Sequence, residues 1–337
     1  MSSKQLRFIC AQPAIKYYAW QIEVLINNFI ENGIDPNQMD ILCAIENNII
    51  PEDFKKLADA YPVRFFFYND TRENKIYIPS IYFNMMKQHI VAHPEIKNDV
   101  LFLHDADIIF TRKPDFSELT NGNTWYISDT RFYINYDYIQ CKGNHIYEKM
   151  CEIIGIDKLI PKLMNTNSGG AQYVVKDTDF EFWDKVEKDS IRLYEYFCSV
   201  EHLHIKKDQY DYAIQKWTAG MWSFLWNAWY FGHETLVDKK LEFGWVTNHI
   251  SDVEKHCILH NAGVTADRKD LFLKSDYMNE FPYGKDIVVN KDNASYYYWQ
   301  QICKTAEKSC LIGKSFTIKK KTVFDEFKIN QMQLDRS

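Results

Sequence analysis

The stretch "DVLFLHDADIIF", residues 99–110, decides how the rest of the chain is read. Apolar residues fill both of its ends, while His104, Asp105 and Asp107 stand together in the middle. A run this apolar predicts a strand buried on both faces. Burying an unpartnered polar group there costs roughly 2–7 kcal/mol, and a charge costs more. Residues i and i+2 of an extended segment point the same way, so Asp105 and Asp107 are expected to aim two carboxylates at one point. They repel each other unless a cation lies between them, and oxygen ligands of this kind suit Mg²⁺ or Mn²⁺. The alternative is that Asp105 caps the next turn while Asp107 pairs with Arg112 or Lys113.

Working outward, the first third of the chain alternates. "RFICA" predicts a strand, "AIKYYAWQIEVLINNFIENGI" has helical spacing and ends at Gly33, and "MDILCAIE" predicts a second strand. Pro51 opens a helix through Ala60, "VRFFFYND" predicts a third strand, and Pro79 starts a helix through His89 before the acidic stretch supplies the fourth strand. Strand and helix in alternation predict an α/β fold: a mostly parallel, twisted sheet flanked by helices on both faces. Ligands of such sheets bind beyond the carboxyl ends of the strands, and that is where Asp105 and Asp107 are expected to emerge.

Past Pro114 the pattern loosens. "TWYISD" and "AQYVV" predict strands, and "DQYDYAIQKWTAGMWSFLWNAWYF" predicts one helix or two, interrupted near Gly220. Trp222, Trp226 and Trp229 share a helical face and are expected in the core. No internal repeat appears. Residues 1–284 are expected to form one domain, with 285–337 as a helical and irregular C-terminal extension, ending in a charged tail, packed on it.

The totals bound the function. A chain of 337 residues with 46% hydrophobic and 16% aromatic content can bury a large core. A net charge of −6 argues against a nonspecific grip on nucleic acid, which needs a basic face to displace counterions. Eight cysteines without a C-x-x-C pair predict reduced thiols and a cytoplasmic setting. No segment approaches the ~20 apolar residues of a membrane span.

Four further pieces lie downstream. In "MNTNSGGAQYVV", Asn167 and Ser168 run into Gly169 and Gly170 before a strand, and a glycine pair there lets backbone approach a ligand closely, although the same residues make an ordinary turn. In "KKDQYDYAIQ", Asp208, Gln209 and Asp211 cluster at a helix start, where Asp208 could equally be an N-cap. In "HCILHNAGVTADRKD", His260 ends a short strand and can complete a metal's coordination, with Arg268 and Lys269 nearby to neutralise an anion; a core histidine is the alternative. In "YISDT", Asp129 could bind an acceptor hydroxyl or cap a turn.

In this order the motifs resemble the nucleotide-sugar glycosyltransferases of the GT-A fold, over most of residues 6–270. "DAD" resembles their D-x-D, "NSGG" the N-S-G of the glycogenin and lipopolysaccharide galactosyltransferase family, "DQ" at Asp208 and Gln209 that family's D-Q, and "HNAG" at His260 to Gly263 its late H-x-x-G. "HDAD", "SDT" and "GGAQY" are also similar to segments of enzymes that glycosylate peptidyl serine or hydroxyproline. The resemblance implies that Asp105, Asp107 and His260 hold Mn²⁺ (or Mg²⁺) against the diphosphate of a nucleotide sugar, a UDP-sugar by preference. It further implies a donor site that includes Ala11, Gln12, Asp105, Asn167, Gly169 and Gly170. Within it Asn167 and Asp208 bind the sugar, and Gln209 lies beside the anomeric carbon. The family's lysine after the histidine has no aligned match, because Ala266 occupies that spacing; Lys269 or Arg268 is expected to substitute. A D-Q pair implies retention of configuration, with Asp211 and Asp129 as candidate bases, and a glycan or glycoprotein hydroxyl as acceptor. Two competing expectations are a sugar-phosphate nucleotidyltransferase, for which "CAQPAIKYY" lacks the glycine-rich, arginine-bearing loop, and a non-catalytic carbohydrate-binding protein.

Overall fold

A computed structural model of the chain describes residues 4–204 and 213–313. The first strand β1 (Leu6–Pro13) leads into helix α1 (Lys16–Glu31). The helix stops where Gly33 takes φ +78°, a conformation that favours glycine, and the Ile34 N–H closes back on Phe29 O at 3.0 Å. Strand β2 (Met39–Ile45), helix α2 (Glu52–Ala60), strand β3 (Arg64–Asn69), helix α3 (Ile81–Ala92) and strand β4 (Val100–Leu103) follow in the expected order.

The apolar run of residues 99–110 is not one strand. It divides into β4 and β5 (Ile108–Phe110), with the acidic residues in a turn between them. β4 ladders with β1 as far as Leu103 opposite Ile9, and β5 then leaves the main sheet. Asn28 of α1 makes this possible: its amide donates to Phe110 O at 2.9 Å and accepts from Phe110 N at 2.7 Å, standing in for a neighbouring strand. High apolar content marked burial correctly but said nothing of continuity.

Next come β6 (Trp125–Ile127) and four short helices, α4 (Arg131–Ile134), α5 (Tyr136–Lys142), α6 (Asn144–Ile154) and α7 (Leu159–Leu163). Beyond them lie β7 (Tyr173–Lys176), the long α8 (Phe180–His204) and α9 (Ala219–Tyr230). The chain continues through β8 (Thr235–Val237), β9 (Phe243–Trp245), α10 (Asp252–Lys255), β10 (Ile258–His260) and α11 (Ala294–Ala306). The sequence pattern had not singled out α8, and the helix expected from residue 208 onward begins, among the described residues, only at Ala219.

The main sheet has the order β3-β2-β1-β4-β7-β6-β8 and is parallel except for β7, which runs antiparallel to both its neighbours. This is the expected α/β class. A second, three-stranded sheet has the order β5-β10-β9. Alternation along the strands feeds two cores: Phe8 and Cys10 of β1 face one with α1, α2 and α11, while Ile9 faces the other with α3, α8 and α9. Trp222, Trp226 and Trp229 are buried in the second, as their spacing predicted. All eight cysteines are free thiols.

Candidate functional site

From β1 the chain moves outward to β2 and β3, then returns to place β4 on the other side of β1. The crevice between the carboxyl ends of β1 and β4 is therefore a topological switch point, where sheets of this kind take ligands. Asp105 and Asp107 stand there, immediately after β4. The buried His104 holds the turn, with its Nδ1 2.9 Å from Asp105 O. Burial, opposed by that carbonyl, lowers the His104 pKa to about 4, so its imidazole is neutral and Nδ1 donates at neutral pH.

His260 arrives from the second sheet. β10 pairs antiparallel with β5, placing His260 opposite Ile108, and the Asn261 N–H bonds Asp107 O at 3.0 Å. Trp245 stacks on the imidazole with centroids 5.5 Å apart. His260 Nε2 lies 3.5 Å from Asp105 Oδ2 and 3.3 Å from Asp107 Oδ1. One ligand atom from each of the three residues falls within 4.8 Å of the others. The side chains of Asp107 and His260 are buried, whereas that of Asp105 is 52% exposed, so the trio opens to solvent through Asp105. The carboxylates thus converge from a turn, not from an extended strand. Arg112 and Lys113, the alternative partners of Asp107, instead donate to the backbone carbonyls of Glu254 and Gly33.

Sequence reasoning missed Lys274. Its Nζ pairs with Asp107 Oδ2. Burial alone would raise the Asp107 pKa, but Lys274 and His260 outweigh it and hold the carboxyl well below its ordinary value. Loss of hydration, reinforced by Asp107 and opposed by His260 and Lys274, raises that of Asp105. Burial depresses the His260 imidazole, yet Asp107 and Asp105 more than compensate and raise it. Lys269 lies exposed, and Arg268 pairs with Asp270 at 3.0 Å. No spacing rule points to Lys274, because the loop between His260 and that lysine has no periodicity to read.

Four largely buried tyrosines lie within electrostatic reach of Asp105. Burial first, and the charge of Asp105 among lesser causes, raises the pKa of Tyr77, Tyr82, Tyr133 and Tyr173 far above neutrality, leaving their hydroxyls protonated. Tyr173 Oη also explains Gly170, where a Cβ would meet it at 2.5 Å. At Gly169 a Cβ would stand 2.2 Å from Ser128 O. The glycine pair therefore admits the protein's own backbone and tyrosine. Gly169→Ala is expected to cost about 2 kcal/mol or more through overpacking against a carbonyl that cannot rotate away. An unchanged urea midpoint would remove that explanation.

The other expected residues are placed as follows. Ala11 and Gln12 lie near the end of β1, beside the crevice; the Gln12 amide donates to Leu42 O at 2.9 Å, while its Oε1 is buried without a partner among the described residues. Asn167 ends a short 3₁₀ turn and is half-buried; its carbonyl accepts from Thr235 Oγ1 at 3.0 Å. Asp129 spends its carboxylate on Arg131, with Nε–Oδ1 at 2.9 Å, which is the turn-capping alternative. Asp208, Gln209 and Asp211 lie outside the described residues.

The residues present suit a divalent ion: two carboxylates and an imidazole offer ligand atoms within 4.8 Å of one another, and His260 Nδ1 is buried without a partner among the described residues. Among the described residues no helix is long and apolar enough to cross a membrane.

No protein-family model and no curated protein matches the chain. Solved structures similar to it include the apo WbbM bifunctional glycosyltransferase, at 12% identity and a TM-score of 0.45, covering 94% of this chain and 52% of that one. The apo-form glycosyltransferase GlyE of Streptococcus pneumoniae TIGR4 is similar at 12% identity and 0.42, covering 90% and 61%. The galactosyltransferase LgtC, in complex with donor and acceptor sugar analogs, is similar at 12% identity and 0.41, covering 93% and 97%. The chain thus spans 52% and 61% of the WbbM and GlyE chains.

Proposed function

We propose that the chain is a metal-dependent glycosyltransferase that moves a sugar from a nucleoside diphosphate sugar, a UDP-sugar by preference, to a hydroxyl of a glycan or glycoprotein with retention of configuration. One observation carries this reading: Asp105 and Asp107, with His260 from far along the chain, converge at the switch point of a mainly parallel sheet. In this role the three side chains hold Mn²⁺ or Mg²⁺. A bound divalent ion would supply positive charge to the diphosphate as it departs.

The remaining chemistry falls to the chain. In transfer, the bond between the anomeric carbon and the diphosphate oxygen breaks with its electron pair going to the phosphate. A bond from the acceptor oxygen forms, and the acceptor proton passes to the departing phosphate, so no strong protein base is required. Lys274, in place of Lys269, is the ammonium suited to stabilise the growing charge on the leaving group. Gly169, Gly170, Asn167, Ala11 and Gln12 border the donor, Asp208 binds its sugar, and Gln209 lies beside the anomeric carbon. Limited access of water to an oxocarbenium-like centre favours the acceptor over hydrolysis.

Calorimetric titration with UDP-sugars, in Mn²⁺ and then in EDTA, tests the proposal. Binding is expected only with the metal and is expected to weaken at least about tenfold in His260→Ala, since a lost ligand removes more than an outer-shell contact does. Equal donor binding in EDTA would leave a carbohydrate-binding protein as the better description.

A further inference from the structure

We infer that Lys274 and a divalent ion contend for Asp107, so that metal occupancy is coupled to the position of the Lys274 side chain and to the single turn, Lys274–Tyr277, that bears it. The inference rests on Asp105, Asp107 and His260 being metal ligands. Asp107 has little spare capacity: Oδ1 faces His260 Nε2 at 3.3 Å, and Oδ2 is taken by Lys274. A divalent ion bound through this carboxylate sits about 2.0–2.2 Å from an oxygen. An ammonium on the same group then meets it as a like charge in a poorly hydrated place. The ion and the lysine cannot both keep their best geometry.

Lys274 is built to give way. It opens a single 3₁₀ turn, Lys274–Tyr277, between two anchors. On one side the buried Phe272 donates its N–H to Ser295 Oγ at 2.9 Å. On the other, Tyr277 O accepts from Trp20 Nε1 at 3.3 Å, and Tyr283 Oη donates to Glu23 Oε2 at 2.8 Å. The Lys274 side chain itself remains 26% exposed. Its four-carbon stem can swing without unfolding either anchor. Entry of the ion and release of a lysine donor beside it are then one event, and the coupling must run equally in both directions.

The test is a calorimetric Mn²⁺ titration of the full chain and of Lys274→Met, Lys274→Gln and Lys269→Met, without nucleotide. Hydrogen exchange of backbone amides 273–278 is followed with and without the ion. Both Lys274 variants are expected to bind Mn²⁺ about tenfold more tightly, because a competing unit charge is gone, and Lys269→Met to stay within about twofold. Exchange at 273–278 is expected to quicken with Mn²⁺ in the natural chain and to become insensitive to it in the variants. Equal or weaker binding in the Lys274 variants, or exchange that ignores Mn²⁺ in the natural chain, overturns the coupling while leaving the metal site standing. If none of the chains binds Mn²⁺, the metal site itself is overturned and the coupling falls with it.

Discussion

Asp107→Ala is expected to reduce sugar transfer about a thousandfold, equivalent to about 4 kcal/mol of transition-state stabilisation. The substitution removes the carboxylate shared by His260 and Lys274, the most heavily engaged group of the site. Metal-dependent donor binding should disappear with it. The fold should survive, because among the described residues no backbone hydrogen bond depends on the side chain, and Lys274, being partly exposed, can turn its ammonium to water. Donor hydrolysis with a panel of nucleotide sugars measures the first effect, and circular dichroism with a melting curve measures the second. A variant that loses its folded spectrum would show that Asp107 serves the fold first, and one that keeps its activity would take the metal site away.

The second large effect is expected far from any reacting atom. Glu23, on α1, is fully buried, and its carboxyl group accepts four hydrogen bonds. Tyr61 Oη at 3.0 Å and Cys310 N at 2.8 Å reach Oε1; Tyr283 Oη at 2.8 Å and Ser309 Oγ at 2.6 Å reach Oε2. Three of these donors, Tyr283, Ser309 and Cys310, come from far along the chain, so a single side chain ties them to the first helix. Glu23→Ala removes the acceptor of Tyr61, Ser309 and Cys310 and leaves Tyr283 Oη only the longer bond to Trp20 O at 3.3 Å. Each buried donor left so costs about 1–3 kcal/mol, and partial relaxation brings the expected loss to about 3–5 kcal/mol. Urea denaturation of the full chain checks it; a loss under about 1 kcal/mol would mean that water or other acceptors replace the carboxyl. Because Tyr283 also anchors the segment bearing Lys274, weaker Mn²⁺ discrimination between the natural chain and Lys274→Met is expected in the same background.

Both effects depend on contacts between residues more than 160 positions apart, Asp107 with Lys274 and Glu23 with Ser309. That separation explains what the sequence could not disclose. The helix carrying Glu23 was legible from its apolar spacing, yet the same spacing marks Glu23 only as a polar residue on an otherwise buried stretch. Likewise "FLKSDYM" presents Lys274 as a surface residue, and nothing local distinguishes it from Lys269 or Arg268. Tyr77, Tyr82, Tyr133 and Tyr173 stand in plain view in the sequence, but they reach the neighbourhood of Asp105 from four separate segments.

What the sequence by itself determined is the α/β class, the order of the first strands and helices, and the residue types able to bind a cation at the end of β4. Periodicity and composition carry these, because burial of one face is a local property repeated along each element. Only the tertiary structure decided that residues 99–110 divide into two strands of different sheets, that His260 meets the two aspartates across the β5–β10 pairing, and that Lys274 supplies the facing ammonium. Those outcomes depend on which elements become neighbours, and charge attraction through a few ångströms has no signature in the spacing of residues along the chain.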